Sequence, residues 1–203
     1  LYHHDQLTEV ISDCQPSLLM SHLASADEPD RSSSEQQLSL FESLRSDLGA
    51  TCPPSSLANT AGILLGERYH FDLVRPGIGL YGGSPDPNDP KGFEAVVCWQ
   101  AQVIELQQVR QGQSVGYGGS YVASHDLRLA TIGLGYADGY LRALSNRGEV
   151  LIEGCLCPIV GRVSMDLITV DVSSVESIKE GMWVEIMGPG ISVDTVARKA
   201  NTI

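Results

Sequence analysis

Residues 82–92 read GGSPDPNDPKG, and this segment divides the chain into two textures that no single continuous sheet accommodates. Prolines 85, 87 and 90 fix φ and remove backbone donors, so neither a helical nor a strand period passes through it. Before it, helical and strand-like stretches alternate, the rhythm of a parallel α/β unit. After it come short alternating runs separated by Gly, Asn and Ser turns, the pattern of an antiparallel barrel or sandwich. We place the α/β part at residues 1–85, a linker at 86–93 and a carboxy-terminal β domain at 94–203.

In the α/β part, residues 6–13 read as the end of a helix and 17–23 as a short buried strand. Ser34 with Gln37 resembles a capping box, and Leu38, Phe41, Leu44 and Leu48 then keep helical spacing up to Gly49, a suitable stop. After Pro53 and Pro54 the pattern predicts a helix over 57–65, then an extended segment at 71–75 halted by Pro76 and Gly77. In the β part, residues 95–109 alternate, with Val97, Trp99, Ala101 and Val103 on one face. Strands are predicted at 127–134, 149–152, 155–160, 167–172 and 182–187, and a final helix near 193–200 with Ser192 as its cap. Both ends look cut: the chain starts inside an apparent helix, and roughly 80 residues of α/β rhythm are too few for an eight-stranded α/β barrel, which takes about 250.

The 203 residues include 25 acidic and 13 basic ones, a net charge of -12. Nucleic acid and anionic membranes, which are bound through Lys and Arg, are poor partners for such a chain. At 42% hydrophobic and 19% charged residues the chain can bury a core. No run approaches the roughly 20 apolar residues of a membrane span and no secretory pattern opens the chain, so a cytoplasmic setting is expected. The basic residues comprise ten Arg and only three Lys, Lys91, Lys179 and Lys199. Cys155 and Cys157 lie two apart without a metal-binding partner motif, so no metal is assigned and the five cysteines are expected to be buried, reduced thiols.

Four segments join polar or aromatic residues to glycines in ways that packing alone does not require. In HFDLVRPGIGLYG, residues 70–82, a strand delivers Arg75, and Gly77 and Ile78 then expose N–H groups suited to an anion, although Pro and Gly can also simply reverse the chain. In VGYGGSY, residues 115–121, glycines free the backbone around Tyr117 and let it project, where a rim tyrosine usually only packs. GLGYADGYLR, residues 133–142, carries Tyr136, Asp138 and Arg142, and an Asp-Gly turn accounts for much of it. In VGRVSMD, residues 160–166, Arg162 stands in an apolar stretch either as an edge-strand guard or as a site residue.

Together and in this order, with SHLASADE at 21–28 and ANTAG at 58–62, these segments resemble the alanine racemase family from about residue 18 to the end. The resemblance implies the last part of a TIM-type (β/α)8 barrel that binds pyridoxal 5'-phosphate, followed by an antiparallel β domain. It also implies a head-to-tail homodimer with shared active sites, and the interconversion of L- and D-alanine that supplies D-alanine for peptidoglycan. By that likeness Arg75 faces the cofactor's ring nitrogen. A guanidinium only donates, so it leaves that nitrogen unprotonated, weakens the electron sink and suppresses side reactions. Gly77 and Ile78 match the phosphate-holding N–H groups, and Thr60 matches a serine hydroxyl at the same place. Tyr117 matches the base for one face of the substrate, acting across the dimer, and a phenol in that role needs positive charge nearby. His22 matches a histidine linking tyrosine to arginine, though a plain strand histidine is the ordinary alternative. The N–H of Met165 matches a contact to the substrate carboxylate, and Tyr136, Arg162, Asp166 and Asp27 match residues lining the entrance.

The family's second base is a lysine that also tethers the cofactor, in a segment resembling VKANAYGHG near the start of the barrel. No such segment is present, and none of the three lysines stands in a position to replace it. The chain alone is therefore expected not to racemise anything. Two other readings stand beside the enzyme: an inactive or trans-complementing fragment that supplies Tyr117 and the entrance residues, and a racemase preferring serine. Barrel-type decarboxylases that use the same cofactor share the two-domain plan but have no expected counterpart of VGYGGSY or GYADGY.

Overall fold

The computed structural model describes residues 9–11, 13–86 and 92–202. The chain separates into two compact units, one of Leu1–Leu80 with Ser84–Asp89 and one of Tyr81–Gly83 with Pro90–Ile203. Among the described residues no helix is long and apolar enough to cross a membrane.

The first unit is a parallel α/β segment. Strands β1 (Leu19–Met20), β2 (Ser55–Asn59) and β3 (Leu73–Arg75) lie in the order β1-β2-β3 and pair in parallel, with helices α1 (Ser32–Leu48) and α2 (Thr60–Leu64) between them. Residues 9–11 and 13–14 are helical, and the rest of the helix expected at 6–13 lies outside the described residues. Leu38 and Phe41 put one stripe of α1 into a core with Leu23, Leu57, Ala58, Ala61 and Tyr69, Leu48 is buried near the helix end, and Phe71 meets Phe41 edge-on at 5.0 Å.

Two expectations are corrected here. Helix α1 begins three residues earlier than the Ser34–Gln37 box requires, with Arg31 at its cap and the Asp30 carboxylate accepting the Ser32 N–H at 2.9 Å. Those Ser32 hydrogen bonds hold the Asp30 carboxyl below its ordinary pKa. Ser34 is fully buried and donates to Ser25 O, while Gln37 accepts the Ala24 N–H at 3.0 Å, so both side chains bind the segment after β1 rather than the helix end. The helix expected over 57–65 is instead strand β2 followed by the short α2. Ser55, Ser56, Leu57 and Ala58 are all buried, as a parallel strand covered on both faces must be, and so show no alternation.

The second unit is an antiparallel, near-closed β-barrel. Its strands are β4 (Trp99–Val109), β5 (Ser114–Val115), β6 (Tyr121–Val122), β7 (Leu127–Ile132), β8 (Glu149–Ile152), β9 (Cys155–Pro158), β10 (Ile168–Asp171) and β11 (Trp183–Met187), followed by helix α3 (Val193–Ala200). Six of them form one sheet in the order β10-β7-β4-β11-β8-β9, and an Ile159–Val170 bridge joins its two ends. Strand β4 turns the corner: its first half pairs with β11 and its second half with β7, with a register shift between Val103 and Glu105. Ala101 and Val103 point inward as expected, but Val97 precedes the strand and is exposed. Ile132, Val150, Ile152, Val170 and Ile186 fill the interior, and Tyr140 is buried edge-on to Trp99 at 6.0 Å. Burial, with the Glu149 charge beside it, raises the Tyr140 phenol above its ordinary pKa.

Helix α3 has the predicted bounds and cap: the Ser192 hydroxyl accepts the Thr195 N–H at 3.2 Å, and Lys199 pairs with Glu149 of β8 at 3.0 Å. Of the five free cysteines only Cys157 is buried; Cys14, Cys98 and Cys155 are exposed and Cys52 is half-buried, which corrects the expectation of buried thiols. Cys157 alternates inward on β9 beneath the barrel wall, whereas Cys155 stands at the hairpin end.

Candidate active-site elements

In the α/β unit the chemistry gathers where the parallel strands end, the usual place for ligands in such sheets. Arg75 closes β3. Its Nη1 donates to Ser56 Oγ at 2.5 Å, and its Nη2 donates to Ser21 O at 2.8 Å and meets His22 Nδ1 at 3.2 Å. Because a guanidinium only donates, His22 Nδ1 must accept and the ring proton sits on Nε2. The nearest side chain to Nε2 is the Asn59 amide nitrogen at 3.4 Å, itself a donor, because Asn59 Oδ1 already accepts the Gly62 N–H at 2.9 Å as the cap of α2. The His22 Nε2–H is thus directed at no acceptor among the described residues. Asp27 lies exposed in the turn after β1, where Glu28 N donates to Ser25 O.

The loop after β3 folds onto α2. Thr60 Oγ1 accepts the N–H of Gly77 at 2.9 Å and of Gly79 at 3.3 Å, and Ile78 begins a 3-10 turn. With both N–H groups donating to it, the Thr60 hydroxyl keeps its proton for another acceptor. The free proton of the Thr60 hydroxyl suits a phosphate oxygen, the Gly77 N–H would exchange its Thr60 acceptor for such an oxygen, and Arg75 suits an unprotonated pyridine nitrogen, so these residues fit the non-covalent part of a pyridoxal phosphate site. The amine that would tether the cofactor is absent from this unit, since the first lysine of the chain is Lys91.

In the β unit, six of the residues named from sequence line one open concavity: Tyr117, Tyr136, Arg142, Arg162, Met165 and Asp166. Tyr117 tips the β5–β6 hairpin and is 72% exposed. Gly116, Gly118 and Gly119 all have left-handed φ, at +73°, +70° and +57°, so the hairpin reverses within a space that side chains would not allow. The Arg162 guanidinium lies along this turn, 3.6 Å from where a Cβ on Gly118 would stand. Arg162 belongs to no strand, which removes the edge-guard reading. Asp138 accepts the Gly135 N–H at 2.9 Å and so shapes its own turn. The Met165 N–H has no acceptor among the described residues, while Met165 O accepts from Ala137 N at 2.9 Å. Arg142, not assigned a role from sequence, lines the same concavity with its guanidinium 5.5 Å from the Tyr136 ring centroid. The two lie six positions apart, and the 3-10 turns at 136–138 and 142–144 bring them together. His22 and Arg75 stand together in the α/β unit, and Tyr117 stands in the β unit.

Comparison with known proteins agrees along the whole length. The model of the alanine racemase C-terminal domain matches residues 96–203, and that of the alanine racemase N-terminal domain matches residues 4–85. The alanine racemase of Dinoroseobacter shibae is 47% identical over 188 residues, 93% of this chain and 51% of that protein. The catabolic alanine racemase of Mesorhizobium japonicum is 47% identical over 187 residues, 91% of this chain and 48% of that protein. Among solved structures, the biosynthetic alanine racemase from Pseudomonas aeruginosa superimposes with a TM-score of 0.90 at 37% identity, over 100% of this chain and 58% of that one. The alanine racemase from Bartonella henselae with covalently bound pyridoxal phosphate gives a TM-score of 0.87 at 39% identity, over 98% and 56%. The chain spans about half the length of the curated relatives it matches. On the match of both domain models and the fold they share, the chain belongs to the alanine racemase family.

Proposed function

We propose that this chain supplies the carboxy-terminal part of a pyridoxal phosphate-dependent racemase that interconverts L- and D-alanine. The observation that carries this reading is the contact of Arg75 Nη2 with His22 Nδ1 at 3.2 Å, which leaves the imidazole proton to Nε2. The cofactor, when bound, supplies the electron sink that makes the α-proton of an amino acid removable. Thr60, Gly77 and Ile78 would hold its phosphate, and Arg75 would face its ring nitrogen as a donor that has no proton to give up. Tyr117 takes or returns a proton on one face of the substrate carbon, working on the site of a second copy in a head-to-tail homodimer. The His22 Nε2–H donates to the Tyr117 oxygen and ties its negative charge to Arg75. The Met165 N–H receives the substrate carboxylate, and Tyr136, Arg162, Asp166 and Asp27 line the way in, where their charges select a small zwitterion. The proton on the opposite face needs a lysine from outside these residues, so the 203-residue chain alone is inactive. The absence of that lysine also supports a narrower role, supplying Tyr117 and the entrance residues in trans.

The test joins the amino-terminal half of the Dinoroseobacter shibae relative to this chain and follows the conversion of L-alanine, and of L-serine, by chiral chromatography. The joined protein is expected to show bound-cofactor absorbance and to racemise alanine, and the chain alone to do neither. Tyr117→Phe in the joined protein should cut solvent-proton exchange by about 10²- to 10⁴-fold, chiefly from one enantiomer. A folded, cofactor-loaded joined protein that leaves both amino acids untouched refutes the reading, and equal loss from both enantiomers refutes the role of Tyr117.

A further inference from the structure

Three separate segments make the concavity of the β unit: the Tyr117 hairpin, the 133–142 stretch and the 160–166 loop. The second and third are joined directly by the Tyr136 N–H to Ser164 O and Ala137 N–H to Met165 O hydrogen bonds at 2.9 Å, and residues outside all three add further links. Ser145 and Asn146, in the turn between Leu144 and β8, do so through side chains that take no part in the lining. The Asn146 carboxamide accepts the Gly161 N–H at 2.6 Å through Oδ1, and its Nδ2 reaches Ser120 O at 3.4 Å and Ser120 Oγ at 3.3 Å. One amide group therefore spans from the residue before Arg162 to the residue that ends the Tyr117 turn. The Asn146 N–H also donates to Gly161 O at 3.2 Å, closing a two-way link to that loop. Next to it, Ser145 Oγ donates to Arg142 O at 2.6 Å and accepts the Val163 N–H at 3.0 Å, which binds the third segment to the second.

The backbone at this junction leaves little slack. A Cβ at Gly116 would stand 3.3 Å from Arg162 N, and one at Gly161 would stand 3.2 Å from Val115 O, so the hairpin and the loop pass at main-chain contact. Asn146 itself has φ +57°, a left-handed conformation in which asparagine is among the few favoured side chains because its carboxamide bonds locally. Here the carboxamide bonds instead to two segments 26 and 15 residues away in sequence.

We propose that Asn146, with Ser145 beside it, is a positioning residue that staples the Tyr117 hairpin to the Arg162 loop and so sets where the tyrosine and the guanidinium stand relative to one another. The staple follows from the geometry of this chain, and its bearing on turnover rests on the racemase reading above. Asn146→Gly removes the carboxamide while keeping a residue suited to φ +57°. In the 203-residue chain, amide hydrogen exchange read by NMR is expected to quicken about three- to tenfold at Gly161 and Gly119, with the β7 and β10 amides unchanged. Unaltered exchange at Gly119, or an acceleration shared by the whole barrel, overturns the staple. In the joined enzyme, Asn146→Gly is expected to lower kcat with Tyr117 present and to add nothing on top of Tyr117→Phe. A full further loss in the double variant overturns positioning through Tyr117. A parent enzyme that fails to racemise overturns the functional reading alone, because the exchange measurement still decides the staple.

Discussion

Gly135→Ala is the substitution whose effect the structure prescribes most closely. Gly135 has extended backbone that any residue can adopt, with φ -153° and ψ -165°, so conformational strain plays no part. Space does: a Cβ there would stand 2.1 Å from Met165 O, 2.3 Å from Met165 C and 2.5 Å from Asp166 N. All three are main-chain atoms, and the first is about 1.3 Å short of ordinary contact, so no side-chain rotation relieves the clash. The segment that follows β7 and the Met165 loop must part, and the Tyr136 N–H to Ser164 O and Ala137 N–H to Met165 O hydrogen bonds at 2.9 Å lengthen with them. Overpacking of this kind costs about 1–3 kcal/mol, and two weakened hydrogen bonds bring the expectation to the upper end, a melting temperature lower by about 5–10 °C. Thermal unfolding followed by circular dichroism reads the loss, and the Met165 methyl signal in NMR reads the displacement. Gly139→Ala is the companion: Gly139 has φ +98° and nothing within 4 Å, so alanine there costs about 1–2 kcal/mol of backbone strain and leaves Met165 in place. A Gly135→Ala protein that melts within about 1 °C of the parent with Met165 unmoved would refute the argument.

Other expectations follow from single contacts. Burial, with Cys155 alongside, pushes the Cys157 thiol up to about 11 from an ordinary 9.0. At pH 8.5 iodoacetamide should therefore modify Cys14, Cys98 and Cys155 while sparing Cys157 in the folded chain, as peptide mass spectrometry would show. Because the folded state holds that proton more tightly, its contribution to stability is complete below pH 9 and is lost as the pH rises through about 11. A stability profile rising over that window would contradict it. Ser192→Ala removes the cap of α3 and should cost about 1 kcal/mol, with fraying read as faster exchange at Thr195. Thr60→Val is close in volume but leaves the Gly77 and Gly79 N–H groups without their acceptor, so the α/β unit should lose about 1–3 kcal/mol in denaturant unfolding, whereas Thr60→Ser should lose far less.

The fold class was legible because the two textures of the chain rest on local rules. Strands β7, β8, β10 and β11 alternate or run apolar between Gly, Asn and Ser turns, and α3 starts at a serine whose hydroxyl reaches the third residue on. Strand β2 was not legible: Ser55 to Ala58 are buried on both faces, and a strand buried on both faces has no period to read. Ser34 and Gln37 misled for a related reason, since their side chains bond to Ser25 and Ala24, partners whose approach depends on how the chain returns from β1. The candidate site divides in the same way. Tyr117, Tyr136 and Arg162 stood out by their glycine-flanked settings, Arg142 was named without a role, and Met165 came from the family likeness, whereas the Ser145–Asn146 turn is ordinary loop until three segments meet around it.

By itself the sequence determined the two-part architecture, the family likeness, and the absence of any lysine before Lys91, because composition, periodicity and motif order are properties of the chain alone. Only the tertiary structure decided that Arg75 meets His22 and fixes its tautomer, and that Asn146 links Ser120 to Gly161. Those contacts join residues 53, 15 and 26 apart, and the last two are made from a left-handed turn. Strand register and chain reversals set which donor faces which acceptor over such separations, and local propensity carries no record of them.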